Sequence, residues 1–317
     1  MSVRVKIAQT AEEIHQLFHA RHEIFVEEEG YFKPNPSGRI FDRFDAFPLT
    51  VNIIAMFDQE VVGGLRITEF SKVGTPSEHL FDFRPHIPAD SSKVAAASMF
   101  CIKKRYRKVP RLIFMLLSMG VCWVISRNVS HVIAAINPLV ENMMKGMGFK
   151  RIHPSFINKE LGIEVLPMLL DLKEISPKFY EMARFQGFHG KLRTFEREFF
   201  KAGEKIIQCG DMGDCAYVIV DGRVTVSMKG RRKGDRGETI ITHLGEGEIF
   251  GELSLLTQKP RSTDVIAETH VDVMVINQKI FKEQLLGNPD LQFKLLELLG
   301  HRLRGFCVSQ QQEESVN

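Results

Sequence analysis

The chain changes its texture near residue 173, and that change bounds every fold it can adopt. Before it, strand-like runs at 3–8, 51–57, 61–68, 94–102, 132–136 and 163–171 are interleaved with runs whose apolar residues recur at helical spacing. In AEEIHQLFHARHEIF these are Ile14, Leu17, Phe18, Ile24 and Phe25, and Thr10 with Glu13 makes a capping box at the start. The runs 51–57 and 61–68 read as a hairpin through DQE, and helices are expected at 112–126 and around 138–147. Interleaving of this kind predicts an α/β domain with a central mixed sheet. From 199 to 276, short β-type runs alternate with Gly-bearing turns, and Asp221-Gly222 reads as a type I′ hairpin turn, whose two central residues need positive φ. That half is expected to be a barrel or sandwich, followed by helical stretches at 278–286 and 290–306. The expected organisation is an α/β domain over 1–173, a helical connector over 174–194 broken at Pro177, Gly187 and Gly190, a mainly β domain over 195–306, and a disordered tail over 307–317. A length of 317 residues suits two domains of roughly 150 each.

With 44% hydrophobic and 26% charged residues the chain belongs to the soluble globular class, which excludes collagen-like, mucin-like and largely disordered readings. A net charge of +3 gives no general argument for nucleic acid, so a basic partner surface has to be local. The cysteines Cys101, Cys122, Cys209, Cys215 and Cys307 form no CxxC pair and have no histidine at metal-ligand spacing, so they read as reduced thiols with no metal. MSVRVKIAQT lacks the succession of a signal peptide, which makes the cytoplasm the default location. The apolar run 112–126 is shorter than the roughly twenty residues a bilayer span needs and reads as a buried helix.

The segment GEIFGELSLLTQKPRSTDV, 247–265, carries the clearest chemistry. Gly251 permits a tight turn, and ELSLL after it can form a short helix whose free N–H groups face an anion. Arg261 lies across a loop from which it can grip the same anion with two N–H groups. A carboxylate beside an anion site needs another task, and for Glu252 that task is to accept a hydrogen bond from a sugar hydroxyl. Together these describe a site for a nucleotide with one phosphate close to its ribose. Residues 195–306 resemble a cyclic nucleotide-binding domain, with FGELSLL and PRST as its phosphate-binding cassette and Gly210, Gly213, Asp214 and Gly222 at the family's turns. The resemblance implies that Glu252 takes the ribose 2′-hydroxyl and Arg261 the cyclic phosphate. Gly251, Leu253, Ser254, Ser262 and Thr263 would complete the contacts. Ser262 after the arginine favours cAMP, and Thr263 leaves cGMP open. Thirteen residues follow Arg304, too few for a helix-turn-helix, so no DNA partner is expected.

In the first half, Lys103, Lys104, Arg105, Arg107, Lys108 and Arg111 put six positive charges in nine residues between a strand and a helix start, a place that favours anions. The element order, this loop and GMGFKRI resemble the GNAT acyltransferase fold, although Pro110 and Leu112 stand where its pyrophosphate loop has small residues. RHEIFVEEEGYF, FDRFD and VGGLRIT are similar to the acyl-homoserine-lactone synthases and the long-chain N-acyl amino acid synthases. Arg21, Phe25 and Tyr31 fall at the spacing of that branch's Arg, Phe and Trp, Asp42 and Asp45 match its aspartates, and Arg66 its strand arginine. Ala96 and Met99 depart from the lactone-synthase pattern, which turns the expectation from lactone formation to N-acylation.

Amide formation needs a deprotonated amine and a polarised thioester carbonyl. Asp42, Asp45 and Glu69 are the candidates to hold the ammonium or relay its proton, with Arg66 beside them; the alternative is that the aspartates pair with Arg21, Arg39, Arg43 or Arg66. The strand around Ser98, Phe100 and Cys101 would hold the carbonyl oxygen, and Arg107, Lys108 and Arg111 the phosphopantetheine. Met99, Met115, Met119, Met143, Met144 and Met147 read as core, or as the lining of an acyl tunnel. The expected protein is a cyclic-nucleotide-regulated N-acyltransferase with a GNAT-like α/β domain and a C-terminal β-roll. Its donor would be acyl-ACP (acyl carrier protein) or acyl-CoA, its acceptor a small-molecule amine, its effector cAMP or cGMP, with no metal and no membrane span, and a homodimer left open. The alternatives are a cAMP-controlled protein lysine acetyltransferase and a nucleotide receptor with a non-catalytic acyltransferase-like half.

Overall fold

In the computed structural model, which describes residues 3–89, 91–159, 161–183, 195–229 and 238–314, the chain divides into two units, Val3–Arg184 and Phe185–Asn317. In the first, the alternating N-terminal run forms β1, Val3–Ile7, and Thr10 caps α1, Ala11–His22. The capping box is reciprocal: Glu13 N–H donates to Thr10 Oγ1 and Thr10 N–H to Glu13 Oε2, both at 3.2 Å. A π-helical turn, Glu23–Glu28, and a strap then lead to a 3-10 turn, Arg43–Ala46. β2, Thr50–Phe57, and β3, Glu60–Glu69, form the expected hairpin, with Asp58 at φ +53° in a tight turn. β4, Val94–Ile102, is followed by α2, Pro110–Ser126, β5, His131–Ile136, and α3, Glu141–Met147. β6, Lys150–Arg151, β7, Phe156–Ile157, β8, Glu164–Asp171, and α4, Pro177–Ala183, complete the unit.

The sheet runs β1-β2-β3-β4-β5-β8-β6, with β7 on β8. Every pair in it is antiparallel except β4–β5. The apolar run of α2 is buried on most sides, with Leu112, Met115, Leu116, Met119 and Val124 inside. Gly120 lets it settle on β3, since a Cβ there would meet Leu65 Cδ2 at 2.8 Å. No helix among the described residues is long and apolar enough to cross a membrane.

The one parallel pair is also the place where the sheet opens. β4 and β5 pair from Val94↔His131 only to Ala97↔Ala134. Beyond that, β4 stays on β3 (Arg66↔Ser98, Gly64↔Cys101) while β5 stays on β8 (Ala135↔Pro167, Ile136↔Leu166). Each arm of the V is therefore held by its outer neighbour. The arm of β4 carries a bulge: the register shifts between Gly64 and Arg66, and Met99 takes φ +52°. A positive φ at a side chain of this size costs on the order of 1 kcal/mol, and such strain gathers at functional sites. Ser98, Met99 and Phe100 are half-buried between the buried ends of β4.

The second unit is a β-roll of two sheets with helices after it. β9, Glu196–Phe200, β10, Lys205–Ile207, β11, Cys215–Asp221, β12, Val224–Lys229, β13, Glu238–Leu244, and β14, Ile249–Phe250, lead to a short α5, Glu252–Thr257. β15, Asp264–Ala267, β16, Val271–Asn277, and α6, Gln278–Ile280, follow; a π-helical turn, Phe281–Leu285, then leads to α7, Pro289–Glu314. One sheet has the order β14-β11-β16-β9 and the other β10-β15-β12-β13. Val218, Ile276, Phe281, Leu285, Leu291 and Leu295 join the first sheet to the helices in one core.

Two expectations change here. Asp221-Gly222 is not a hairpin turn: β11 and β12 do not pair but belong to different sheets. Gly222 alone has positive φ, +97°, and it packs so close to the turn before β16 that a Cβ would meet His270 O at 2.3 Å. The segment is a corner between sheets, which needs the same residue types as a hairpin. α7 also runs to Glu314, into the segment expected to be a disordered tail; 315–317 lie outside the described residues, as does the 184–194 part of the expected connector.

Candidate functional site

The first constellation sits on the face of β3 that carries even-numbered residues. Arg66, fully buried, is gripped from the 3-10 turn: Nη1 and Nη2 donate to Asp42 Oδ1 and Oδ2 at 2.8 and 2.9 Å, and Nη1 also to Asp45 Oδ2 at 2.9 Å. Its Nε donates to Ser98 Oγ at 3.1 Å, which ties the cluster to the first residue past the β4–β5 pairing. From α1, buried Arg21 donates to Asp45 Oδ1 at 2.8 Å and to Asn52 Oδ1 at 2.7 Å. The turn itself is a small capping box, with Phe44 N–H on Asp42 and Asp42 N–H on Asp45. Burial opposes ionisation of Asp45, but the Arg21 and Arg66 guanidinium groups outweigh it and hold its carboxyl below the usual range. Asp45, 4% exposed and doubly paired, is an anchor and a poor base, whereas the Asp42 side chain is 37% exposed.

Glu69 is not brought to this cluster. Three residues from Arg66 along a strand, it points to the opposite face, where Arg127 at the end of α2 donates to it at 2.6 Å. The basic loop is also not the open cradle its composition suggests. Lys103 is paired with Glu23 and Glu60, and Arg105 with Glu60. Arg107 is held by Glu28 and Glu29 and gives its Nε to the Ile102 carbonyl. Lys108 is exposed, and Arg111 lies in the first turn of α2. Cys101 is buried, and burial pushes its thiol up to about 11, so it is inert as a nucleophile. Phe100 lies in the β4 bulge with Met99.

The second constellation forms around α5. Gly251 starts it at φ +77°, and Arg261 reaches in from the loop before β15. Its Nη1 donates to the Gly251 carbonyl at 2.6 Å and to Ser254 Oγ at 2.8 Å, its Nη2 to the Cys215 carbonyl at 2.7 Å. Cys215 Sγ lies 3.7 Å from the same Nη2, and burial pushes that thiol up to about 11. Gly213 and Gly251 shape the cradle: Cβ atoms there would meet the guanidinium at 2.5 and 2.7 Å. Leu253 is 45% exposed on α5, and Ser262 is exposed beside Arg261, with Thr263 half-buried. Arg261 and Glu252 do not pair with each other. Glu252, 2% exposed, accepts from Arg302 Nη1 of α7 at 2.9 Å, and Arg302 Nη2 also caps the Ile249 carbonyl. Burial pushes the Glu252 carboxyl above its usual range against the pull of Arg302 and Arg261.

Sequence reasoning missed Arg302, since a partner 50 residues from Glu252 leaves no local mark, whereas the pairing of Arg21 with Asp45 was one of its stated alternatives. The glycine cradle yields a direct expectation. Gly213→Ala crowds Ser254 Oγ and the held Arg261 guanidinium, both side-chain groups, without touching backbone, so the unit folds while cyclic nucleotide affinity falls by roughly tenfold, the worth of about 1.4 kcal/mol. Calorimetric titration with cAMP measures this.

Residues 16–171 match the family model for N-acyl amino acid synthase FeeM, and residues 197–288 the family model for the cyclic nucleotide-binding domain. Among curated proteins, a CRP-like cAMP-activated global transcriptional regulator of Mycobacterium tuberculosis is 30% identical over 105 residues, 33% of this chain and 46% of that protein. The cAMP-dependent protein kinase type II regulatory subunit of Drosophila melanogaster is 42% identical over 86 residues, 27% of this chain and 22% of that protein. The match thus spans less than half the length of either relative. Among solved structures, FeeM from uncultured soil microbes aligns with 54% of this chain and 93% of its own at 14% identity and a TM-score of 0.47. The chain therefore joins a segment similar to an N-acyl amino acid synthase, 16–171, to one similar to a cyclic nucleotide-binding domain, 197–288.

Proposed function

We propose that this protein is an N-acyltransferase controlled by a cyclic nucleotide, moving a fatty acyl group from the phosphopantetheine thioester of acyl-ACP or acyl-CoA to a small-molecule amine. The observation that carries the reading is the V between β4 and β5, bulged at Met99 and tied through Ser98 to the Arg66–Asp42–Asp45 cluster. A thioester lying along 98–101 meets strand amides that can stabilise the carbonyl oxygen as charge develops on it. Asp42, the exposed carboxylate of the cluster, is the group for the amine, with Asp45, Arg66 and Arg21 fixing its place. The buried methionines Met115, Met119, Met144 and Met147 give an adaptable apolar interior that suits a long chain.

The effector is cAMP or cGMP, with its phosphate on Arg261 and the amides of α5, its 2′-hydroxyl on Glu252, and Ser262 and Thr263 at the rim. Since Glu252 is occupied by Arg302, a nucleotide that takes Glu252 competes with the tie to α7 and biases the position of that helix. A coupling of roughly 1–3 kcal/mol, about 5- to 150-fold in activity, is the expected scale. Protein lysine acetylation from acetyl-CoA has less support, because Arg107 is committed to Glu28 and Glu29.

The test is transfer from palmitoyl-ACP, palmitoyl-CoA and acetyl-CoA to each of the twenty amino acids and to a lysine peptide, with and without cAMP or cGMP. Amide product from a palmitoyl thioester, changed several-fold by nucleotide, is expected. Transfer from acetyl-CoA to the peptide alone would establish the acetyltransferase reading instead, and no turnover of any donor would leave a receptor.

A further inference from the structure

Of the four arginines that could pair with the aspartates of the 43–46 turn, the structure uses two. Arg66 takes both carboxylates and Arg21 takes Asp45. Arg39 gives its Nε to His19. Arg43, inside the turn and next to Asp42, is exposed and makes no hydrogen bond or ion pair among the described residues. It is placed all the same, because its guanidinium carbon lies 4.8 Å from the centroid of the Phe44 ring. Phe44 is buried, and its ring meets those of Phe47 at 6.4 Å and His79 at 6.3 Å, both steeply inclined, so it is a fixed platform. A guanidinium over a ring is held by the charge distribution of the ring and spends none of its N–H groups. A cation with its donors uncommitted therefore stands beside the more exposed carboxylate of the cluster.

Charge narrows what can bind there. Asp42 and Asp45 are balanced by Arg21 and Arg66, so Arg43 leaves the turn with positive charge in excess. A simple alkylammonium brought to Asp42 meets that surplus, whereas a molecule with a carboxylate next to its ammonium cancels it. In an α-amino acid the two groups hang from one carbon, as Asp42 and Arg43 hang from neighbouring residues. We propose that Arg43 is the residue by which this protein selects α-amino acids over plain amines, binding the α-carboxylate while the amine nitrogen lies on Asp42; this rests on the acyltransferase reading above. The flat fork of a guanidinium matches a carboxylate with two parallel N–H bonds. The contact also outlasts a change that the reaction imposes: the ammonium must lose its proton before it can attack and so loses its attraction to Asp42, but the carboxylate keeps its charge, and Arg43 keeps its hold, through the transfer.

The test compares full-length wild type with Arg43→Met, which keeps an apolar stem for the Phe44 platform and removes the charge. With saturating palmitoyl-CoA or palmitoyl-ACP, kcat and KM are measured for the amino acid that wild type acylates fastest, for its methyl ester, and for the amine it becomes on losing its carboxyl group. Wild type is expected to prefer the amino acid. In the variant, kcat/KM for the amino acid should fall by roughly 10- to 100-fold, mostly through KM, the scale of hydrogen bonds to a charged group. The ester and the amine bring no carboxylate and should be acylated at least as well as by wild type, which also shows that the variant is folded. Arg43→Lys, with the charge but not the fork, should recover part of the loss. Equal losses with all three acceptors, no loss with any, or a wild type that takes the amine as readily as the amino acid overturns the role of Arg43 and leaves the acyltransferase reading intact. A wild-type chain that acylates nothing overturns both.

Discussion

Arg261→Ala is expected to weaken binding of cAMP by roughly 30-fold to several thousand-fold, the equivalent of about 2–5 kcal/mol for removing one partner of a buried, hydrogen-bonded charge pair. The size follows from the place of the guanidinium, 8% exposed and seated between the Gly251 and Cys215 carbonyls, where a phosphate would meet it already desolvated and oriented. Lysine should rescue little, because one ammonium cannot span both carbonyls and still present two parallel donors to a phosphate. The same truncation leaves those carbonyls short of a donor, at a cost of about 1–3 kcal/mol to the β-roll. Calorimetry at a temperature below the variant's melting transition separates the two effects, and an unchanged Kd would remove the cassette from the nucleotide site.

The second large effect belongs to the N-terminal unit. Arg66→Leu leaves Asp42 without its bidentate partner and Asp45, 4% exposed, with Arg21 alone. Breaking a buried ion pair by removing one member costs roughly 3–5 kcal/mol. At about 2–4 °C per kcal/mol for a domain of this size, the N-terminal melting transition should fall by roughly 10 °C. The pH dependence has a definite sign. Asp45 is held below its ordinary range, so its contribution is present above the unfolded carboxyl pKa of about 3.9 and is lost as pH falls through the lower folded value. Wild type should therefore lose stability on acidification below about pH 4, and Arg66→Leu, which removes one of the two cations responsible, should lose less over the same interval. Scanning calorimetry from pH 7 to pH 3 tests both parts. A variant that melts with wild type at neutral pH would mean that the cluster is not structural.

Much of the fold is written in local sequence. The capping box at Thr10 and Glu13, the turn after Phe57 and the buried apolar run of α2 are encoded within a few neighbouring residues, and so is the Gly251-to-Arg261 cassette. What misled was chemistry shared by two geometries, or partners far away in sequence. Asp-Gly suits a hairpin and a corner alike, so only the absence of β11–β12 pairing distinguishes them. Six cations in nine residues look like an anion site until Glu28 and Glu29, 79 and 78 residues from Arg107, are seen against it. Glu69 stands three residues from Arg66, and the pleat of a strand puts it on the other side from the aspartates.

The corner at Gly222 has a consequence for how the β-roll comes into being. With β11 and β12 sent to different sheets, β9 waits for β16 and β10 for β15, partners whose registers join Phe200 to Val271 and Lys205 to Ile266. The second sheet cannot close until the chain through Ala267 has emerged from the ribosome, nor the first until the chain through Asn277 has. Contacts this distant in sequence slow folding, so during synthesis the cyclic nucleotide-binding half remains open, with its strand edges unpaired, long after the strands ahead of it have been made.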